Sequence, residues 1–168
     1  YNASYDYETN QTYPALVAAV KVWPSDEVKG IHQTFLGVDE QGYARKAAIA
    51  TPKKRLGSVP GGVIRIGSEP AESLTLCEGV EDGLAIFQER QKAGTENPVW
   101  VCMGTNYAGV VLPDSVKHLT IATDNDRSGL EGAYKASMIF SLRGIEVEVV
   151  RPPQGFKDFN QVLMKAQS

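Results

Sequence analysis

Residues 120–132, TIATDNDRSGLEG, constrain the fold of this chain more than any other stretch. A short apolar run (Leu119, Ile121, Ala122) stops at two carboxylates, Asp124 and Asp126, and a helical segment starts at Ser128. Both acids therefore fall at a strand-to-helix turn, where a parallel α/β sheet places its chemistry. Two residues apart on a chain leaving a strand, they can be aimed to one side. Hard oxygen donors without imidazole or thiolate suit Mg2+ or Mn2+ better than zinc. Read alone, the pair also fits a plainer arrangement in which Asp126 caps the following helix and Asp124 is solvated.

A second stretch repeats the construction. Residues 74–86, LTLCEGVEDGLAI, read as an apolar strand (Leu74, Leu76, Cys77), a carboxylate (Glu78), a glycine, and a helix with Val80, Leu84 and Phe87 on one side. In a parallel sheet the carboxyl ends of the strands lie along one edge, so Glu78 can face Asp124 and Asp126 across a short gap. Three acids gathered from two loops repel one another unless a cation sits between them. Gly79 permits a close backbone approach at the turn.

An E-G pair after one strand, then D-x-D after a later strand with R-x-G behind it, resembles the toprim fold of DnaG-type primases, type IA and II topoisomerases and some nucleases. The resemblance covers residues 73–167 and places two motifs in the right order on the right elements. It implies that Glu78 matches the family's glutamate, a general acid/base or metal ligand, and that Asp124 and Asp126 match its metal-binding pair. Asp82 matches the second acid of the primase-like E-G-x-x-D form. Lys157-Asp158-Phe159-Asn160 is similar to the K-D-[PF]-[ND] segment of primases and of phage or plasmid primase-helicases, which makes Asp158 a further metal ligand. The family often carries another acid two or three places on, where this chain has Asn160 and Gln161.

With 168 residues, 42% of them hydrophobic, the chain can bury a real core. It lacks an apolar run near eighteen residues and a basic-then-apolar start, so neither a membrane span nor a signal peptide is expected. Starting at Tyr1 without methionine, it reads as a piece of a longer protein. Cys77 and Cys102 fall inside expected strands with no C-x-x-C, which fits reduced thiols in a cytoplasmic protein better than a disulfide or a zinc site.

The net charge of −3 argues against indiscriminate binding to nucleic acid, but its distribution is uneven. Residues 30–67 hold six basic groups (Arg45, Lys46, Lys53, Lys54, Arg55, Arg65) against two acids. From residue 68 onward nine basic residues face fourteen acids. A positive front section joined to an acidic metal site suits an enzyme of polyphosphates or nucleic acid.

Residues 1–13 are polar and aperiodic and read as a lead-in. Residues 14–23, 30–38 and 43–50 read as three strands of an antiparallel meander, and residues 51–58, TPKKRLGS, as a basic loop. A further strand is expected at residues 63–66 and a junction at 67–72. This front section also resembles the segment ahead of the toprim core in phage and plasmid primase-like proteins, through residues 31–36 and 52–57. Lys53, Lys54 and Arg55 are candidates for template phosphates or an incoming triphosphate, as are Arg127 and Lys157 downstream; a solvated loop beside an edge strand explains the first three equally well. His32 and His118 have no partner pattern for a triad or a metal. Residues 57–67 are glycine-rich but lack G-x-x-x-x-G-K-[ST], so no P-loop is present.

After the first helix, which ends near Gly94, residues 99–103 form another strand, and Tyr107 is read as a packing residue. Leu130, Tyr134, Met138 and Leu142 recur every four residues along the helix behind the acid pair, with Gly144 as its stop. Residues 146–150 alternate acid and valine like an edge strand, and residues 159–166 form a closing helix.

The expected fold is α/β: a toprim, Rossmann-like core with a mostly parallel sheet at residues 69–168, preceded by a small β-rich basic subdomain at 1–68. The resemblance implies a primase catalytic core that makes RNA primers on single-stranded DNA from nucleoside triphosphates. Its catalytic residues are then Glu78, Asp82, Asp124 and Asp126, its cofactor Mg2+ or Mn2+, and its further partner a helicase domain or subunit. A toprim nuclease using the same acids to activate water, and a non-catalytic single-strand-binding module of a replication or mobilisation protein, are the alternatives.

Overall fold

The computed structural model describes residues 3–57, 59–70, 72–95 and 97–166. Residues 1 and 2 of the expected lead-in, Ser58 of the basic stretch and Ala71 of the junction lie outside the described residues. The chain divides into two compact units, one of residues 1–20 and 27–59, the other of residues 21–26 and 60–168.

The first unit is an antiparallel sheet of β1 (Ala3–Asp6), β2 (Gln11–Val20), β3 (Gly30–Val38), β4 (Ala44–Lys46) and β5 (Lys53–Leu56). The order is β1-β2-β3-β4, with β5 also pairing β3. Two expectations are corrected here. The polar lead-in contributes β1 and the start of β2, and the basic stretch is not a loop but a strand, registered from Ile31 with Leu56 to Thr34 with Lys53. Neither segment has the apolar composition of a strand; each pairs because its neighbour offers an unfilled ladder. The third strand of the meander is also shorter than residues 43–50, covering only Ala44–Lys46. Ala15, Phe35 and Ala47 make the small core, edged by Tyr13 and Ile49.

Alternation along β5 separates its cations. Lys53 and Arg55 are exposed, while Lys54, between them, lies over the Phe35 ring at 5.6 Å and pairs with Asp6 and Glu8. Asp6 is buried, and its bond from Lys54 holds its pKa down at about 2.

The second unit carries β6 (Ile64–Ile66), β7 (Ser73–Cys77), α1 (Val80–Lys92), β8 (Val99–Val101), β9 (His118–Ala122), α2 (Arg127–Leu142), β10 (Glu146–Val150) and α3 (Phe159–Ala166). Its sheet runs β10-β9-β7-β8-β6, parallel throughout except for β6, which pairs antiparallel to β8. The strand expected at 63–66 thus belongs to this sheet. Leu74, Leu76, Trp100, Leu119 and Ile121 point to one face and form the main core with Ala133, Ala136 and Phe140 of α2. On the other face α1 comes so close that a Cβ on Gly83 would lie 2.7 Å from Val101 and 3.2 Å from the Cys77 sulfur. The two helices therefore cover opposite faces.

The buried side of α2 is not the four-residue apolar stripe. Tyr134, Met138 and Leu142 are 57, 64 and 89% exposed, and the inward positions are Gly129, Ala133, Ala136 and Phe140. Leu84 of α1 likewise faces out, at 43%, whereas Val80, Gly83 and Ala85 are buried. Close helix-to-sheet approach requires small residues, and Gly132 meets the loop after β8 just as closely: a Cβ there would sit 2.3 Å from the Thr105 carbonyl oxygen. Beside β6, Arg65 lies over both Trp23 (5.2 Å) and Trp100 (5.1 Å) and pairs with Asp26 and Glu69. Tyr107 is fully buried, as a packing residue should be. Among the described residues no helix is long and apolar enough to cross a membrane.

Candidate active site

The position of the site follows from strand order. From β7 the chain passes over α1 to β8 on one side, and from β9 over α2 to β10 on the other, so the connections diverge between β7 and β9. Outside the carboxyl ends of two such strands lies the crevice that α/β proteins use for ligands. The strands are neighbours in register, Cys77 opposite Ala122. Glu78 leaves β7 and Asp124 leaves β9 at this point, which brings together acids 46 positions apart in the chain.

Asp124 is partly buried, and its pKa is pushed up to about 7, first by burial and then by Asp82, Glu78, Asp158 and Asp126. All five acids expected at the site thus share one electrostatic neighbourhood. Their roles within it differ. Asp126 is the N-cap of α2, accepting from the Gly129 amide and the Ser128 hydroxyl, both at 2.8 Å, and these bonds lower its pKa. The capping alternative holds for Asp126, while Asp124 is half-buried rather than fully solvated. Asp82 is buried in the first turn of α1 and accepts from the Asn160 amide at 3.0 Å, fastening α3 to α1. Asp158 accepts from the Gln161 amide at 2.8 Å at the start of α3.

Glycine fixes the turn. A Cβ on Gly129 would stand 2.5 Å from the Thr123 hydroxyl and 3.2 Å from the Asp124 carbonyl, so the helix can follow the acids this closely only without a side chain there. Two residues past the end of β8, at the same edge, Met103 has a φ of 57°, uncommon for a residue with a side chain. Burial keeps the thiols of Cys77 and Cys102 well above their ordinary range, so they contribute no ligand charge.

The basic candidates are not all gathered here. Lys157 is close enough to lower the pKa of Asp126. Arg127 is exposed and pairs with Glu131 at 2.7 Å along α2. Lys53, Lys54 and Arg55 belong to the first unit. Of the histidines, His32 is buried beside Thr34 and His118 pairs with Glu146 on the surface. One residue of the site escaped the sequence reading, Asn125, whose side chain donates to the carbonyls of Pro152 (3.0 Å) and Phe156 (2.7 Å). The only sequence signal for it was its place between two aspartates.

The donor chemistry fits a hard divalent cation: all the acids offer oxygen, and burial together with their mutual repulsion raises the pKa of Asp124 to about 7, a cost that a bound cation would offset. Among the described residues no three His, Cys, Asp or Glu side chains already enclose a common point at ligand distance.

Comparison with known proteins agrees with this geometry. The Toprim domain family matches residues 73–168. The chain belongs to the toprim family. Toprim domains generally bind divalent metals such as Mg2+. Residues 1–66 match a domain of unknown function. No match was found among curated proteins. One similar fold is a chain in a structure of bacteriophage T7 lagging-strand DNA polymerase interacting with primase domains of two gp4 subunits bound to an RNA/DNA hybrid and dTTP. It is 16% identical, with a TM-score of 0.59 over 91% of this chain and 72% of that one. Another is the Aquifex aeolicus primase (zinc-binding and RNA polymerase domains), 19% identical with a TM-score of 0.57, matched over 98% of this chain but only 41% of its own length. At these identities the likeness is one of fold.

Proposed function

We propose that this toprim chain is the catalytic core of a DNA primase, joining nucleoside triphosphates into RNA primers on single-stranded DNA with Mg2+ or Mn2+. The observation that supports the reading is Asp124 at the carboxyl end of β9, beside β7, where burial and then the charges of Asp82, Glu78, Asp158 and Asp126 push its pKa up to about 7. In this reading Asp124 and Asp126 hold the cation, with Glu78 and Asp158 completing the donor set. When bound, a divalent cation neutralises the triphosphate and acidifies the attacking 3′-hydroxyl. Glu78, across the crevice, shares the ion or takes the hydroxyl proton. Asp82 is a positioning residue that fixes α3, and with it Asp158, against α1. Lys157 and Arg127 offset phosphate charge next to the site. Lys53 and Arg55, on the exposed side of β5, track template phosphates, while Lys54 is committed to Asp6.

The division into a basic front section, residues 1–68, and a toprim domain, residues 69–168, belongs to the same proposal. A helicase domain or subunit as partner and a cytoplasmic setting complete it. Labelled-ribonucleotide incorporation on single-stranded DNA, with and without Mg2+, tests the reading. Primers that appear only with the metal support it. Strand cutting without synthesis points to a nuclease, and single-strand binding that survives Asp124→Ala and Asp126→Ala with neither activity points to a non-catalytic module.

A further inference from the structure

The ring of Tyr107 packs into the main core, but packing does not account for its hydroxyl. The residue is fully buried, and so is Thr123, which leads the chain from β9 into Asp124. Burial pushes the phenol pKa well up, with the Thr123 hydroxyl beside it as the next influence, so Tyr107 remains a neutral O–H donor. Apart from each other, neither hydroxyl reaches a hydrogen-bond partner among the described residues. Both are fixed in place. Thr123 donates its amide to the Val150 carbonyl at 3.1 Å, and the first turn of α2 closes the space beside its hydroxyl, where a Cβ on Gly129 would stand 2.5 Å away. Tyr107 opens a single 3-10 turn, Tyr107–Gly109, closed by the Val110 amide on the Tyr107 carbonyl at 3.2 Å.

Counting donors shows what is left over. Two hydroxyls carry two protons and use one of them on each other. The second is buried, and a buried donor without an acceptor costs free energy that phenylalanine or valine at the same positions would not incur. Glu78 is the carboxylate that acts most strongly on the phenol, and its Oε2 is itself buried. The hydroxyl pair thus lies under the crevice, between the acid that leaves β7 and the turn that leaves β9.

We propose that Tyr107 is a positioning residue for Glu78: with Thr123 it offers the carboxylate a buried O–H, which keeps one oxygen inward and leaves the other to face the cation. Through Thr123 the same contact reaches the turn that bears Asp124, so the pair couples the orientations of the acids on the two strands. The inference rests on the metal-site part of the proposed function, to which it adds what fixes the glutamate. A carboxylate oriented beforehand loses less side-chain freedom when the ion arrives, and groups that orient metal ligands raise affinity in this way.

Mn2+ uptake by the 168-residue chain, followed through the paramagnetic resonance signal of the free ion, tests the assignment. Tyr107→Phe keeps the ring and should weaken Mn2+ binding on the order of tenfold, while the thermal midpoint holds or rises. Thr123→Val should act alike, and Thr123→Ser, which keeps a hydroxyl, should retain most of the affinity. In a Glu78→Gln background Tyr107→Phe should cost nothing further, because its effect runs through Glu78. Undiminished Mn2+ affinity in Tyr107→Phe overturns the proposal and leaves the primase reading intact if the unsubstituted chain makes primers. A loss of equal size with and without Glu78 overturns it as well, since that marks a general loosening of the turn. A chain that takes up no Mn2+ overturns it together with the metal site. If the expected pattern appears in a chain that makes no primer, the positioning role stands and the primase reading falls.

Discussion

Asp124→Asn should stabilise the metal-free chain at neutral and alkaline pH while abolishing its response to magnesium. In the folded chain Asp124 keeps its proton up to about pH 7, against 3.8 for an unperturbed aspartate. The folded state therefore binds more protons than the unfolded state between about pH 4 and pH 7, and stability falls as pH rises through that window. The span from 3.8 to about 7 corresponds to roughly 4 kcal/mol at full effect. Solvent reaches this partly open carboxylate and screens its neighbours, so about 2 kcal/mol is the magnitude to look for. Urea denaturation in EDTA at pH 5 and pH 8, on the unsubstituted chain and on Asp124→Asn, measures it. The unsubstituted chain should lose about 1 kcal/mol relative to the variant on going from pH 5 to pH 8, the rest of the effect falling below pH 5. Added Mg2+ should restore that loss in the unsubstituted chain alone. Asp6, Glu72 and Asp126 all have lowered pKa values and complete their titration below this range, so they do not blur the difference. Parallel pH profiles for the two proteins would refute the claim that crowded carboxylates charge Asp124 at a cost.

Asp126→Asn should fold normally, because asparagine caps a helix as well as aspartate does. Primer synthesis should nevertheless stop while single-strand binding persists, as incorporation and gel-shift assays on one preparation would show. Gly132→Ala should destabilise the second unit by about 1–3 kcal/mol, since the added methyl meets a backbone carbonyl that cannot yield; a thermal melt unchanged from the unsubstituted chain contradicts this. Lys54→Ala should loosen the first unit, measured as faster amide exchange along β1 and β5, because it leaves the buried Asp6 carboxylate without its cation. Asp6 has a lowered pKa, so its contribution is present above pH 4 and fades as pH falls toward 2; Asp6→Asn should remove that acid dependence.

The parts legible in the residues are those set by local chain properties. An apolar run that ends in an acid and turns at once into a helix places the acid at a strand terminus whatever surrounds it, so Glu78, Asp124 and Asp126 could be assigned to a sheet edge in advance. The helix cap at Asp126 and the stop at Gly144 are equally local, the latter confirmed by its φ of 82°. What could not be read depends on neighbours distant in sequence. β1 and β5 carry polar and charged residues and become strands because β2 and β3 present open ladders. The apolar stripe of α2 faces outward because the sheet lies too near for leucine or methionine, so glycine and alanine take the inward side.

The sequence by itself determined that carboxylates end two strands of an α/β chain, because periodicity and turn residues act over a few positions. Only the tertiary structure decided that β7 and β9 are neighbours where the connections diverge, that Asp82 and Asp158 join the same field, and that Asn125 fastens the loop ahead of α3. Electrostatic energy depends on distances between groups that the chain order leaves free. Packing supplies those distances, and with them a proton on Asp124 at neutral pH.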